Sequence, residues 1–504
     1  MKRLKNIIFI LSLALFVASC TNWLDVQPKT EVKQDKMFEN EAGFKDALIG
    51  AYMLMGDTMI YGRELTHNFL EVLAQQYDMV STSNLYYQAK LYSYNNLGIE
   101  AKINTIWSKI YRVIANLNAV LENIEMKKNV LHPTNYANIK AEALGLRAFL
   151  HFDLLRMFGW GDIVNNPSNL DRLCIPYVTR YSKEMTKQST VKEILGYIHT
   201  DLNEAEQLLS YYDLYNQVAQ EDDYELPNDD KFYSERRSRF NYYAARATQA
   251  RVYMWEGKYK EALERVSLFT QKGAEKIQWV DLDRSVINAE LVDRDLTFTT
   301  EHIFNLDVHS MYPPLKSYIE QFQIHGSFTV QDNTLYFYHT KLRADALYEV
   351  TKGGANDQRN AALYERVDNT HYLFLKFKEA PNSKSPAKNK MPLIKKAEMF
   401  YYAAECYNRQ NEPGKAIELL NEVRAARGID RLYALPSTLT TAEVDNEILK
   451  EWKKEYLEEG QMFYYYKRLG LQIPDAGVSG DAAFVLPLPK SEIDLGGRED
   501  YKKD

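Results

Sequence analysis

The chain has 504 residues, and 62 Lys and Arg against 69 Asp and Glu leave it a net charge of −7. That acidic balance argues against a nucleic-acid binder, whose phosphate partner wants a basic surface, and a composition 45% hydrophobic and 26% charged excludes disorder as the main state. Three cysteines, Cys20, Cys174 and Cys406, are too few for a disulfide scaffold, and none sits in a CxxC pair that would suggest zinc or redox chemistry.

Residues 1–20 read MKRLKNIIFILSLALFVASC. Lys2, Arg3 and Lys5 form a positive region, and Ile7 to Val17 form an apolar run too short to span a bilayer. Residues 1–19 are therefore expected to be a signal peptide. Val17-Ala-Ser-Cys20 resembles the bacterial lipobox, which makes Cys20 the expected lipid-attachment site and places the protein on a membrane, outside the cytoplasm. Residues 20–35 then form a tether.

With 22 Gly and 15 Pro, well under average usage of about 7% and 5%, the chain is expected to be rich in long helices. Helical spacing of apolar residues runs over 36–55, 103–121 and 136–158. Residues 58–99 are Tyr-rich and irregular. Thr190-Val-Lys-Glu193 and Thr440-Thr-Ala-Glu443 match capping boxes, in which a hydroxyl and a carboxylate satisfy orphan N–H groups; they open helices through about 209 and over 442–469. Residues 221–236 are acidic and read as a solvated loop. Helices are expected over 240–256, 259–271, 392–410 and 413–427. Residues 275–390 alternate β-branched and aromatic clusters with polar segments, as in loops and short strands.

Within the helices a pattern recurs. Ala247, Ala250, Tyr253, Gly257, Tyr259, Ala262 and Leu263 follow a tetratricopeptide hairpin, in which small residues let two helices approach. Ala397, Ala404, Tyr407, a turn at 411–414, Ala416 and Leu420 repeat it. A weaker copy joins Ala141–Ala148 to Asp201–Ala205 across a long insertion. The expected fold class is mainly α: a helical-hairpin scaffold in two parts, 36–274 and 391–504, with 275–390 as a loop-rich, ligand-facing insertion.

Several segments together resemble the SusD/RagB family. They are Cys20-Thr-Asn-Trp-Leu-Asp25, Ala47-Leu-Ile-Gly-Ala-Tyr52, Trp107-Ser-Lys-Ile-Tyr111, EALGLRAFLHFDLLRMFG at 142–159, Leu419-Leu-Asn-Glu-Val-Arg-Ala-Ala-Arg-Gly428 and Leu486-Pro-Leu-Pro-Lys-Ser-Glu492. The helix from Glu447 is similar to that family's, but Trp452 and Lys453 stand in its Glu-Arg region, and Gln461 stands where arginine is usual. The resemblance implies an outer-membrane lipoprotein acting as a lid on a SusC-like, TonB-dependent transporter. Such a lid catches a glycan, or a peptide, and passes it on. It implies no cofactor and no covalent chemistry.

The residues themselves offer little catalysis. His151 and Asp153 are two apart and point to different faces of a helix. Asp222, Asp223, Asp229 and Asp230 lack calcium-loop spacing. Glu290, Asp293 and Asp295 are the nearest thing to a glycosidase pair, which would make a surface hydrolase the remote alternative. No metal ligands are assigned. Aromatic residues in irregular segments are the stronger signal, since flat rings stack on sugar faces and a tyrosine hydroxyl adds a polar handle. The candidate ligand-binding residues are Tyr86, Tyr87, Tyr92, Tyr312, Tyr318 and Tyr336, with Asp78 and Asn84 as polar neighbours.

Overall fold

A computed structural model describes residues 34–78, 82, 86–213, 215, 230–271, 276–308, 339–366, 371–378 and 383–501. These residues are mainly helical. The N-terminal part holds α1 (Glu41–Met55), α2 (Leu97–Met126), α3 (Pro133–Phe158), α4 (Val191–Tyr212), α5 (Tyr242–Glu256) and α6 (Tyr259–Thr270). The middle holds β1 (His302–Asp307), β2 (His339–Thr340), α7 (Lys341–Tyr348), β3 (Tyr364–Arg366), β4 (His371–Phe374) and β5 (Lys390–Lys395). The C-terminal part holds α8 (Lys396–Arg409), α9 (Pro413–Ala426), α10 (Thr441–Glu455) and α11 (Gln461–Leu469).

Successive helices pack as hairpins: α3 on α4, α5 on α6, α8 on α9, with α6 also against α8. The small residues of the recurring pattern are what permit it, since Ala247, Ala250, Ala397 and Ala404 are fully buried. Both capping boxes form. Glu193 N–H donates to the Thr190 hydroxyl at 3.3 Å while Thr190 N–H donates to the Glu193 carboxylate at 2.8 Å. Thr440 and Glu443 repeat this at 3.4 and 2.8 Å. One large apolar core, from Phe38 to Leu488, underlies these helices. Two small satellites lie in the middle part, one around Leu296, Leu363 and Phe374, the other around Val280, Val286 and Phe298.

Three expected helices come out differently; the one expected over 36–55 is interrupted at 38–40 and restarts at Glu41, with Asn40 as its N-cap. The helix expected over 392–410 begins as β5, which pairs antiparallel with β1 from His302↔Lys395 to Asp307↔Lys390. The run Met391-Pro-Leu-Ile394 is buried, and a two-stranded sheet tolerates Pro392 because one side of each strand needs no donor. The helix expected over 442–469 breaks between α10 and α11. Glu458 and Gly460 there adopt left-handed φ of 68° and 70°, and a Cβ on Gly460 would sit 2.2 Å from the Leu65 carbonyl oxygen. The break lets Gly460 N–H donate to Glu71 at 2.7 Å.

Buried charges tie the C-terminal helices to the sheet. Arg427 donates to Glu301 at 2.7 and 2.6 Å and to Glu455 at 3.0 Å through both Nε and Nη2. Lys395 and Arg359 also reach Glu455, at 2.9 and 3.3 Å. Burial opposes charge on Glu455, but Arg427, Lys395 and Arg359 hold its carboxyl well below the usual carboxylate range. This network gives a physical reason for Arg427 in the Leu419–Gly428 segment.

Candidate functional site

The site is built where the chain leaves the short helix Phe69–Leu73 and meets the start of α7. Gln75 has a left-handed φ of 55°, which turns the chain away from that helix toward Asp78. The Asp78 carboxylate then accepts the Thr340 N–H at 2.8 Å and the Arg343 guanidinium at 2.8 Å. Arg343 also donates to the Gln75 carbonyl. Thr340 caps α7, its hydroxyl accepting Arg343 N–H at 3.3 Å, so the arginine is fixed at both ends. Burial works against charge on Asp78, but Thr340 N–H and Arg343 together lower its carboxyl below the usual value.

His339 anchors the other side. Its Nδ1 accepts the Tyr364 hydroxyl at 2.7 Å, so its Nε2–H donates to the Gln76 carbonyl at 2.6 Å. Burial first, then the nearby Arg343, drops this imidazole to about 4, so the ring is neutral at physiological pH. β2 thereby joins the 75–78 segment to the three-stranded sheet, ordered β2-β4-β3.

Beside this junction lies a cleft of about 340 Å³. Gln75, Gln76, Arg343, Leu347, Lys453 and Tyr466 form much of its wall, so it draws on α7, α10 and α11 as well as on the 75–78 turn. It falls within the size range of small-ligand sites, and it mixes apolar wall with a few polar groups as such sites do.

Of the candidate ligand residues, Asp78 stands at this junction. Asn84, Tyr312, Tyr318 and Tyr336 lie outside the described residues, as do Asp222, Asp223, Asp229 and Cys20. Tyr86 is drawn inward, only 2% exposed. Its hydroxyl donates to Glu64 at 2.8 Å and accepts Asn68 at 2.9 Å, and Lys102 sits 4.6 Å from its ring. Tyr92 is buried too, donating to the Leu73 carbonyl at 2.6 Å and receiving Gln75 at 3.3 Å, so it braces the cleft wall from behind. Tyr87 alone of these three keeps part of its ring exposed. Composition and spacing did not single out Arg343, Lys453 or Tyr466. The signal available was the departure at Lys453 from the expected Glu-Arg helix.

His151, Asp153, Asp293 and Asp295, weighed for catalysis, have local structural partners. His151 uses both nitrogens, one on the Arg147 carbonyl at 2.8 Å and one accepting Val178 N–H at 2.9 Å. Asp153 accepts the Tyr61 hydroxyl at 2.6 Å and pairs with Arg156. Asp295 caps the Thr299 turn at 2.8 Å, and Asp293 accepts Lys384 N–H at 2.7 Å. Asp230 pairs with Lys45 at 2.6 Å. Cys174 and Cys406 are buried free thiols, and burial pushes the Cys174 thiol up to about 12. Among the described residues no helix is long and apolar enough to cross a membrane.

Comparison with known proteins adds to this geometry. A family model described as starch-binding and associating with the outer membrane matches residues 22–221, and a model of the SusD family matches residues 324–495. SusD-like protein P38 of Formosa agariphila is 23% identical over 521 residues, covering 92% of this chain and 91% of that protein. SusD-like protein P25 of the same organism is 23% identical over 205 residues, which is 40% of this chain and 38% of P25. A SusD superfamily protein of Bacteroides thetaiotaomicron superposes with a TM-score of 0.68 at 20% identity, covering 91% of this chain and 98% of that one. A SusD-like carbohydrate binding protein of Bacteroides vulgatus gives 0.59 at 19% identity over 86% and 84%.

Proposed function

The chain belongs to the SusD/RagB family, and from that premise we propose that it captures oligosaccharide at the cell surface and delivers it to a SusC-like, TonB-dependent transporter. The observation that carries the glycan reading is the match of residues 22–221 to a family described as starch-binding. The carbohydrate binding protein of B. vulgatus, similar in fold, supports it. In this reading the protein binds and releases its ligand without cleaving it. The cleft beside Asp78 is the receiving surface, with Tyr87 and the aromatic residues Tyr312, Tyr318 and Tyr336 contributing stacking. Cys20 carries the lipid that holds the protein on the outer membrane. Two acyl chains are needed for a stable anchor, at ~0.8 kcal/mol per buried CH₂.

Calorimetry with a panel of oligosaccharides and peptides tests the ligand class. Micromolar to millimolar binding of at least one glycan, about 4–8 kcal/mol, is expected. Binding of peptides with no glycan would replace the sugar by a peptide in the same role. Cleavage of any ligand during titration would overturn the non-catalytic part. Mass spectrometry of the N-terminal peptide tests the anchor, and pull-down from native outer membranes in mild detergent tests the transporter.

A further inference from the structure

Among the described residues, the wall of the cleft carries three cations, Arg343, Lys450 and Lys453, and one acid, Glu349. Two of the cations are already matched. Arg343 is paired with Asp78 at 2.8 Å. Lys450 reaches Glu349 at 2.9 Å and Glu447 at 2.7 Å. Glu349 is itself shared with Lys454 at 2.9 Å, so the single acid in the wall is spent on two lysines. Lys453 differs. Among the described residues its ammonium makes no hydrogen bond or ion pair, and the Tyr466 ring centroid lies 6.0 Å from its Nζ.

We infer that this cleft takes a ligand bearing an acidic group, a carboxylate or a sulfate ester on an oligosaccharide, and that Lys453 is the side chain that pairs with it. The inference rests on the glycan reading above and narrows it to acidic sugars. Burial is the larger penalty on the Lys453 ammonium and Arg343 adds repulsion, while among the described residues the exposed Asp475 is the carboxylate that favours its charge. Its proton is therefore held less firmly than on an ordinary lysine. A partly buried cation with no counter-charge costs stability, and an incoming anion removes that cost. A neutral sugar does not. An anion also gains a charge-assisted bond, stronger than a neutral one and weakened by salt where it stays near solvent. The neighbouring Leu347 and Pro474 give the sugar body an apolar wall, and Gln75 and Gln76 line the turn beside it.

The experiment is calorimetry of the full mature chain with four probes: tetragalacturonate for carboxylate, a sulfated carrageenan tetrasaccharide for sulfate ester, cellotetraose as neutral sugar, and tetraglutamate as acidic peptide. One of the two acidic sugars is expected to bind more tightly than cellotetraose, and to weaken as salt rises. Lys453→Gln is expected to weaken that binding by roughly ten- to a hundredfold, while Lys453→Arg retains most of it. Because Lys453 has no ion partner to lose among the described residues, Lys453→Gln is expected to melt no lower than the parent chain, which separates lost contact from lost fold. Cellotetraose binding as tightly as the acidic sugars would overturn the inference and leave the glycan reading standing. Acidic-sugar binding unchanged in Lys453→Gln would overturn it likewise. Tetraglutamate binding with no sugar bound would overturn both.

Discussion

Arg147 grips Asp201 across 54 residues with two bonds of 2.7 Å, one from Nε and one from Nη2. The pair is buried between α3 and α4, and it has help. Tyr177 donates to the same carboxylate, and its ring stacks on His151 at 3.9 Å. Arg147 also donates to Asn118 at 2.9 Å, which reaches α2. One guanidinium thus fixes three helices at a single depth in the core.

Removing one side of this pair leaves a buried charge with no counterpart. Asp201→Ala is expected to lower stability by about 3–5 kcal/mol, because the lost partner cannot be replaced by water. Urea denaturation of the two chains measures it, and a loss below ~1 kcal/mol would mean the guanidinium is more hydrated than its burial implies.

Close approach of α3 to the start of α5 sets the second expectation. A Cβ on Gly145 would lie 2.1 Å from the Phe240 ring. Phe240 is fully buried and wedged against Phe304 of β1, ring centroids 5.6 Å apart, so it has nowhere to retreat. Gly145→Ala gains helix propensity but overpacks the contact; a net loss of about 1–3 kcal/mol is expected. Thermal melts decide the sign, and a stabilised variant would show that the ring swings aside.

The helices were legible because their apolar periodicity and caps are local. Thr190 and Glu193 announce a helix start from three residues apart, and Ala141–Ala148 with Asp201–Ala205 hinted at the α3–α4 contact that Arg147 and Asp201 make. What was illegible depends on partners distant in sequence. Nothing near 391–394 says that this run pairs with His302–Asp307, and nothing near Glu458 says that Glu71 waits there for the N–H groups of a broken helix. The burial of Tyr86 and Tyr92 is illegible for a related reason. An irregular backbone suggests exposure, but Glu64 and the Leu73 carbonyl satisfy their hydroxyls inside the core. Position alone singles out Asp78, and its partner stands 265 residues away.

Buried acids and imidazoles give opposite pH slopes. Burial pushes Glu71 and Glu458 each up to about 8, against the pull of backbone donors on Glu71 and of Lys376 on both. A carboxyl raised in the folded state keeps a proton that the unfolded chain has released, so its contribution is full below about 4.3 and declines as pH rises through about 8. Burial drops His67, His151 and His302 to about 3, and their penalty grows in the other direction, as pH falls below ~6.5. Glu458→Gln is expected to remove one alkaline term, gaining about 1–3 kcal/mol at pH 8 and close to nothing at pH 4. Melting temperatures from pH 4 to 9 test this; an offset equal at every pH would place the Glu458 effect in packing rather than protonation.

The last expectation separates charge from geometry at Asp78. Its carboxylate accepts two donors, the Thr340 N–H and Arg343, and both belong to the start of α7 that forms one wall of the cleft. Asp78→Asn keeps an oxygen for Thr340 and gives up the ion pair, whose members are 23% and 30% exposed, so a modest cost of about 1 kcal/mol is expected. Asp78→Ala leaves the backbone N–H and the guanidinium both unmet, and about 2–3 kcal/mol is expected. The carboxyl is held below its ordinary value, so its contribution is present above about 3.9 and is lost as pH falls through the lower folded value. Asp78→Asn should therefore converge on the parent chain in strong acid and separate from it near neutrality, while Asp78→Ala, with no oxygen for the Thr340 N–H, should stay below the parent at every pH. For ligand binding the roles differ. The asparagine preserves the wall and frees Arg343 from its counter-charge, so an acidic sugar should bind at least as well as before. The alanine loosens the wall and should weaken neutral and acidic sugars alike. Equal losses in both variants would mean that Asp78 touches the ligand through its charge, a direct role in place of a positioning one.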